Sequence, residues 1–455
     1  MFFFFKLVKN FIFNIIFITF IKIFFNSKNN NKSKKKINCY YSSYINTTVY
    51  NKIFINKSFS FAPLKKKQNN CYLTELQFNK KLFINFFETK KNFSKMKLDN
   101  HVVHSFITYK DIWGIYTSIL CLLFKTIKIL NKKNYFILNN KDCSKILKPL
   151  LLDSFSGNIQ NSLIISCAIK NFLTKHKYKK FITYGEFFPN YRSIYSFVDS
   201  LTDRPKILSV NHGIYNKDNL FYHLDKKDFS QKTKDYLRSP EPDIFFSQGR
   251  LHFDYLKKIF PKKKIFQVGS FKFDLLKNIN KKISIKKKIQ KINKTQSKKI
   301  IAVITAIKDE DYIVNFLNKC NLSKFQVILC PHPAWKKETK NYFSKNLKVK
   351  FLTLNNYSSR EVMSSADLII CGYSSMAYEA FFNNLNIIRV EDYYRPNWTD
   401  HNDGIPVLKN PKALNKYIFR NKKISKSLIR EVKSKYFYKY DQNTHKRFCN
   451  IIDKL

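Results

Sequence analysis

Short apolar runs of four to six residues recur along most of the chain, separated by longer amphipathic stretches, which is the pattern of buried parallel strands joined by helices. One set of runs lies at 135–138, 181–184, 207–210, 244–247 and 265–268, and a second at 300–305, 325–330, 349–354, 368–371 and 387–390. Helical periods fall between them, at 311–320, 359–365 and 376–382. Residues 277–299, rich in Lys, Ile and Asn and without Gly or Pro, read as a helix or basic linker between the sets. Two successive α/β halves imply two Rossmann-like domains facing a cleft, with ligands at the carboxyl ends of the strands.

The first hundred residues differ. Residues 1–25 are crowded with Phe and Ile, yet Lys6, Lys9 and Lys22 interrupt any apolar window of 20. No small-residue cleavage site follows, and the Lys-rich stretch 26–36 would hold the downstream chain on the cytoplasmic side. This predicts an uncleaved anchor or membrane-surface segment at the inner face of the cell membrane. Residues 26–100, rich in Asn, Lys and Ser without a sustained period, read as a low-complexity linker. In 113–130, Lys125 and Lys128 favour a buried amphipathic helix over a second span. The expected plan is therefore 1–25 anchor, 26–100 linker, 101–276 first domain, 277–299 basic linker and 300–455 second domain.

Charge changes this picture little. The 84 Lys+Arg against 31 Asp+Glu give a formal net charge of +53, which alone would suggest nucleic acid or an anionic membrane. The lysines are spread through every segment of a chain also crowded with Asn, Ile and Phe and holding 8 Gly, a bias toward AT-rich codons. No RNA-binding aromatic signature or zinc-finger spacing is present, so no nucleic-acid partner is expected. The 9 Cys include no C-x-x-C pair, which suits reduced thiols in a cytosolic compartment. Neither a metal nor a cofactor is implied.

Candidate chemistry sits at the strand ends. The run 368–371 breaks at Gly372 and leads through Tyr373, Ser374 and Ser375 into a helix, where either Ser can act as N-cap and the first turn can receive a phosphate. Glu379, four residues on, shares that helix face and would hold ribose hydroxyls; a capped helix with an exposed Glu would use the same residues. Pro331 and Pro333 fix His332 at the mouth of another strand, placed to contact a phosphate leaving group. In the first half, Asn211-His212-Gly213 leaves room for a substrate to approach His212 as general base. Glu186 and Arg192 follow a neighbouring strand, Glu186 as base or sugar ligand and Arg192 as partner of an acidic acceptor; a solvated Glu or a structural Glu–Arg pair is the plain alternative.

The order of Asn211-His212-Gly213, Pro242-Asp243 with Gly249, Val268-Gly269-Ser270, Pro331-His332-Pro333 and Gly372-Tyr373-Ser374-Ser375 with Glu379 resembles the GT-B glycosyltransferases of bacterial surface polysaccharide synthesis. Over roughly 180–410 it is similar to capsular sialyl- and Kdo-transferases and CDP-glycerol glycerophosphotransferases. The resemblance implies an α/β, GT-B-like fold and metal-independent transfer of a sugar or polyol phosphate to a capsule, lipopolysaccharide or lipid-linked acceptor. The donor would be nucleotide-activated, frequently with cytidine. It assigns His332, Ser374 and Ser375 to the donor, beside Glu379 at the ribose position; 300–455 is thus expected as the donor domain and 101–276 as the acceptor domain, where Arg192 and Asn216 are the candidate acceptor ligands. His212 matches the base proposed in glycerophosphotransferases, and Glu186 the acidic base of sialyltransferases. Where a common GT-B pattern has Glu-Ala-x-x-x-Gly-x-Pro, this chain has Asn384 and Asn386, and Asn384 can supply the left-handed turn. A nucleotide-sugar 2-epimerase-like enzyme and a non-catalytic glycan-binding module are the competing readings.

Overall fold

In a computed structural model the chain forms two parallel α/β sheets. The structure describes residues 2–25, 38–43, 47–50, 53–56, 70–76, 99–138, 140–185, 187–211, 213, 224–229, 238–271, 286–287, 289, 299–306, 309–332, 336–354, 357–390, 404–414, 417 and 425–455.

The first sheet has seven parallel strands: β1 (Asn38–Ser43), β2 (Asn70–Glu75), β3 (Asp99–Val102), β4 (Lys180–Tyr184), β5 (Lys206–Val210), β6 (Ile244–Ser247) and β7 (Lys264–Gln267). Their order is β7-β6-β5-β4-β1-β2-β3. Residues 26–100, expected as linker, thus supply β1, β2 and the start of β3, together with a separate hairpin of Thr47–Tyr50 and Ile53–Asn56. β1 reads NCYYSS and β2 NCYLTE, with no Val or Ile to betray a strand; burial between neighbours forms them. The run 135–138, expected as a strand, instead ends a 3₁₀ turn and joins a two-stranded hairpin with Lys141–Asp142.

Around this sheet lie α1 (Phe2–Phe25), α2 (Tyr109–Leu130), α3 (Ser144–Asp153), α4 (Asn158–Lys175), α5 (Pro189–Asp199) and α6 (Arg250–Ile259). The segment expected as an anchor is α1, and it lies along the domain. Leu7, Phe17, Ile18, Ile21 and Phe25 are buried, and Asn14 Nδ2 donates to Tyr116 Oη at 2.7 Å. In α2, Ile112, Tyr116, Ile119, Leu123 and Thr126 form the buried stripe, as the amphipathic reading required. By length and composition, Phe5–Phe25 and Tyr109–Leu130 are each apolar enough to cross a membrane.

The second sheet has five parallel strands: β8 (Lys299–Ile304), β9 (Phe325–Cys330), β10 (Phe351–Leu352), β11 (Leu368–Cys371) and β12 (Ile387–Arg389), ordered β10-β9-β8-β11-β12. Here Ile, Val and Leu runs are buried on both faces, and the expected strands appear within one or two residues at most ends. Its helices are α7 (Glu310–Asn318), α8 (Lys336–Asn346), α9 (Ser359–Ser365), α10 (Met376–Phe382) and α11 (Lys426–Phe437). Part of 277–299 belongs to this core as well, since Ile289 is fully buried and Lys286 Nζ pairs with Asp367 at 2.6 Å.

The last helix, α12 (Thr444–Lys454), returns to the first sheet. Phe448, Cys449 and Ile452 pack with Tyr40, Tyr72 and Phe246 on the face opposite α4. Lys180 Nζ donates to the Ile452 carbonyl at 2.6 Å, and Arg447 Nε to that of Val268 at 2.9 Å. The crossing explains two glycines of the sequence motifs. A Cβ on Gly249 would collide with the backbone of Tyr436 and Phe437 at the end of α11. Gly269 has φ +97°, and its Cβ would lie 2.8 Å from Thr444 Oγ1.

Candidate functional site at the second sheet's switch point

Numbered along the chain, the second sheet runs 3-2-1-4-5, so its connections reverse direction between β8 and β11. At such a point the loops leaving the two strands diverge and open a crevice at the carboxyl edge. The loop after β8 carries Asp309, and the loop after β11 carries Gly372, Tyr373, Ser374 and Ser375.

These loops are fastened together. Asp309, buried, accepts at Oδ2 from the backbone N–H of Ala306 at 2.9 Å and of Tyr373 at 3.0 Å. Tyr312, on α7, packs its ring 5.8 Å from that of Tyr373, and burial beside the Asp309 carboxylate pushes its phenol pKa up. A Cβ on Gly372 would strike both the Asp309 carboxylate and the Tyr312 hydroxyl, so any larger residue here would push these two side chains aside. Sequence reasoning missed Asp309. Its signal was an acidic residue shortly after a buried strand.

Ser374 and Ser375 are half-buried at the mouth of this turn. Ser374 Oγ accepts from the Met376 N–H at 3.3 Å, whereas Ser375 is the N-cap by position with an α-helical backbone and no side-chain cap bond. The helix they start has seven residues, and Ala377 to Phe382 are buried. Glu379, expected from the sequence to hold ribose hydroxyls, lies on this buried helix. It is fully enclosed, and its Oε2 accepts from Arg360 Nε at 2.8 Å, with Arg360 itself half-exposed. Asn384, where the sequence pattern lacked a glycine, has φ +52° and closes the turn after α10 as expected.

His332 leaves β9, and its neighbours Pro333 and Trp335 lie outside the described residues. Ile304 on β8 is level with Cys330 of β9 on one side and Cys371 of β11 on the other. His332 and the Ser pair thus start from strands two spacings apart, about 10 Å, at the same edge. Arg389, buried at the end of β12, pairs in register with Cys371, the residue before Gly372.

The first sheet repeats the reversal, between β1 and β4. Glu186, His212 and Asn216 lie outside the described residues, but the strand ends that carry Glu186 and His212 are fixed. Gly185 N donates to the Val210 carbonyl at 3.0 Å, and Asn211 N to that of Phe246 at 3.0 Å. Tyr195 Oη donates to the Gly185 carbonyl at 3.0 Å, locking the turn before Glu186. Arg192, half-buried on α5, donates to Ser239 Oγ at 3.2 Å and lies 5.9 Å from the Phe187 ring; burial lowers its pKa against the opposing pull of Asp228 and Tyr255. The Pro242-Asp243 pair lies at the other end of this sheet. Arg204 grips Asp243 through two bonds of 2.7 and 2.9 Å, and Ile207 N donates to it at 2.8 Å, so Asp243 clamps the amino ends of β5 and β6. Among the described residues no group of three His, Cys, Asp or Glu is placed to hold a metal ion.

No protein-family model and no curated protein matches the chain. Among solved structures it is similar to a variant of the wall teichoic acid polymerase TagF soaked with CDPG, at 11% identity and TM-score 0.47 over 99% of this chain and 96% of that one. It is also similar to the UDP-GlcNAc 2-epimerase from Neisseria meningitidis bound to UDP-GlcNAc, at 11% and 0.46 over 92% and 100%. A glycosyltransferase from Rickettsia africae gives 13% and 0.49 over 93% and 100%. Identities and scores of this size carry no activity across.

Proposed function

We propose that the protein is a GT-B-type glycosyltransferase that moves a sugar or polyol phosphate from a nucleotide-activated donor to a surface-polysaccharide or lipid-linked acceptor. One observation carries the reading: two Rossmann-ordered parallel sheets, tied by α12, with the turn at Gly372 braced by Asp309 at the second sheet's switch point. The donor phosphate would lie over this turn, against the hydroxyls of Ser374 and Ser375. His332 would stabilise charge building on the departing nucleotide. These groups can serve without a metal. At the first sheet's carboxyl edge, His212 or Glu186 would take the proton of the acceptor hydroxyl, and Arg192 and Asn216 would hold the acceptor. The motif order supports a cytidine nucleotide as the donor's leaving group.

The test is thermal stabilisation of the full chain by CMP, CDP, UMP, UDP and GDP, because a ligand bound by the folded state alone raises the melting temperature. A rise with cytidine nucleotides that disappears in His332→Ala is expected. A uridine-specific rise keeps the fold reading and changes the donor. No rise with any nucleotide overturns the donor site. A labelled nucleotide sugar altered without any acceptor would favour the epimerase reading.

A further inference from the structure

We propose that α1, α2 and α3 together form a face that seats in-plane on an anionic lipid bilayer, so that α1 lies on the membrane rather than crossing it. This does not depend on the transferase reading.

Helix α1 is mostly apolar, broken by Lys6, Lys9, Asn10, Asn14 and Lys22, and its two sides have different neighbours. The side carrying Leu7, Phe17, Ile18, Ile21 and Phe25 is packed into the first domain, against residues that include Leu76 and Val102. Removing α1 to cross a bilayer would strip that core. The other side faces solvent: Phe5 is 64% exposed, Ile12 51% and Ile16 52%, with the exposed Lys9 among them. Helix α2 adds Trp113 at 64%, beside Phe11 of α1, and Phe124 at 60%, and α3, packed against α2, adds the exposed Ile146 and Leu150. Soluble monomers rarely leave a contiguous apolar surface of this extent uncovered.

The two long helices run antiparallel, since Asn14 meets Tyr116 while Thr19 meets Tyr109 at 3.0 Å. Between them lies a groove of about 150 Å³ lined by Leu7, Val8, Phe11, Trp113, Tyr116 and Leu120, together with Thr117. Val8 and Trp113 are also part of the bare surface, so the groove opens on it. Its lining suits a hydrocarbon chain.

Charge selects the occupant. Residues 2–25 and 109–153 hold eleven Lys and three Asp, with no Arg or Glu. Two of those acids are engaged, Asp111 by Thr108 and Asn171 and Asp142 by the Ser144 N–H. Lys22 lies 4.6 Å over the Tyr109 ring, Lys132 5.5 Å over Tyr135 and Lys148 5.2 Å over Phe136, fringing the apolar surface with aromatic and cationic pairs. Aromatic rings and lysines around an apolar centre match the layers of a bilayer interface, where anionic headgroups attract the ammonium groups. A second copy would bring the same lysines face to face, which like-charge repulsion opposes.

Flotation of the full chain with vesicles tests this, using phosphatidylcholine alone and phosphatidylcholine with phosphatidylglycerol. Binding to the anionic vesicles is expected, weakened roughly tenfold or more by Ile16→Asp and independently by Phe124→Asp; both positions are exposed, so the melting temperature should hold. With Trp335 and Trp398 replaced by Phe, lipids brominated on the acyl chain should quench Trp113. A spanning α1 predicts instead that Phe124→Asp has no effect, and that result overturns the proposal. So does unquenched Trp113, or a soluble dimer that ignores vesicles.

Discussion

The carboxylate of Asp309 accepts the backbone N–H of Tyr373 at 3.0 Å, joining loops that leave β8 and β11 in opposite directions. The same oxygen holds Ala306 N at 2.9 Å. Asp309→Ala removes both bonds and strands two amides, which costs roughly 2–4 kcal/mol. Asp309→Asn keeps an accepting oxygen and should lose less. Chemical denaturation measures the cost, and a change below about 0.5 kcal/mol, within the usual range for a surface position, would mean that the turn holds itself.

Glu379 is enclosed and answered by Arg360. Arg360→Leu leaves a carboxylate buried without its cation, and because Arg360 is partly exposed the expected loss is roughly 2 kcal/mol, below that for a fully buried pair. Glu379→Gln separates structure from binding. If the pair is structural, the variant lowers the melting temperature and leaves any nucleotide-induced rise intact. A lost rise at unchanged stability would restore Glu379 as a ribose ligand.

Gly249 and Gly269 mark the path of the chain from α11 back to the first sheet. Gly249→Ala meets backbone and Gly269→Ala meets strain at φ +97°, so each should destabilise by about 2 kcal/mol or more. Cleavage by added protease near 438–443 should accelerate in both. A variant as resistant as the parent would show that the crossing tolerates a Cβ.

Acid should weaken the fold through two buried histidines. Burial lowers His104 to about 4 and His252 to about 3 from the usual 6.5. The unfolded chain then binds protons that the folded chain refuses. Stability is full above about pH 6.5 and falls as pH drops toward these lowered values, by about 2 kcal/mol per histidine at pH 5. Urea midpoints at pH 7.5 and 5 measure the fall, and His252→Leu should flatten part of it. For His104 the cause is visible: its ring sits 5.0 Å from that of Phe17, and Nδ1 has no hydrogen-bond partner among the described residues.

The apolar pattern by itself determined the second sheet, including β9, β11, α9 and α10 to the residue, because strands buried on both faces must be continuous apolar runs. It also marked the strand ends of the first sheet from β4 onward, and the turns at Gly372 and Asn384. Only the tertiary structure made strands of β1 to β3, whose Asn, Asp, Ser and Cys residues break any apolar run and which are ordered by the sheet around them. It decided that Glu379 faces Arg360, that Asp309 braces the turn, and that Asp243 clamps the opposite end of the sheet. It also laid α1 along the domain. Periodicity reports which residues avoid water, whereas the partner that shields each one is set by contacts between segments far apart in the chain.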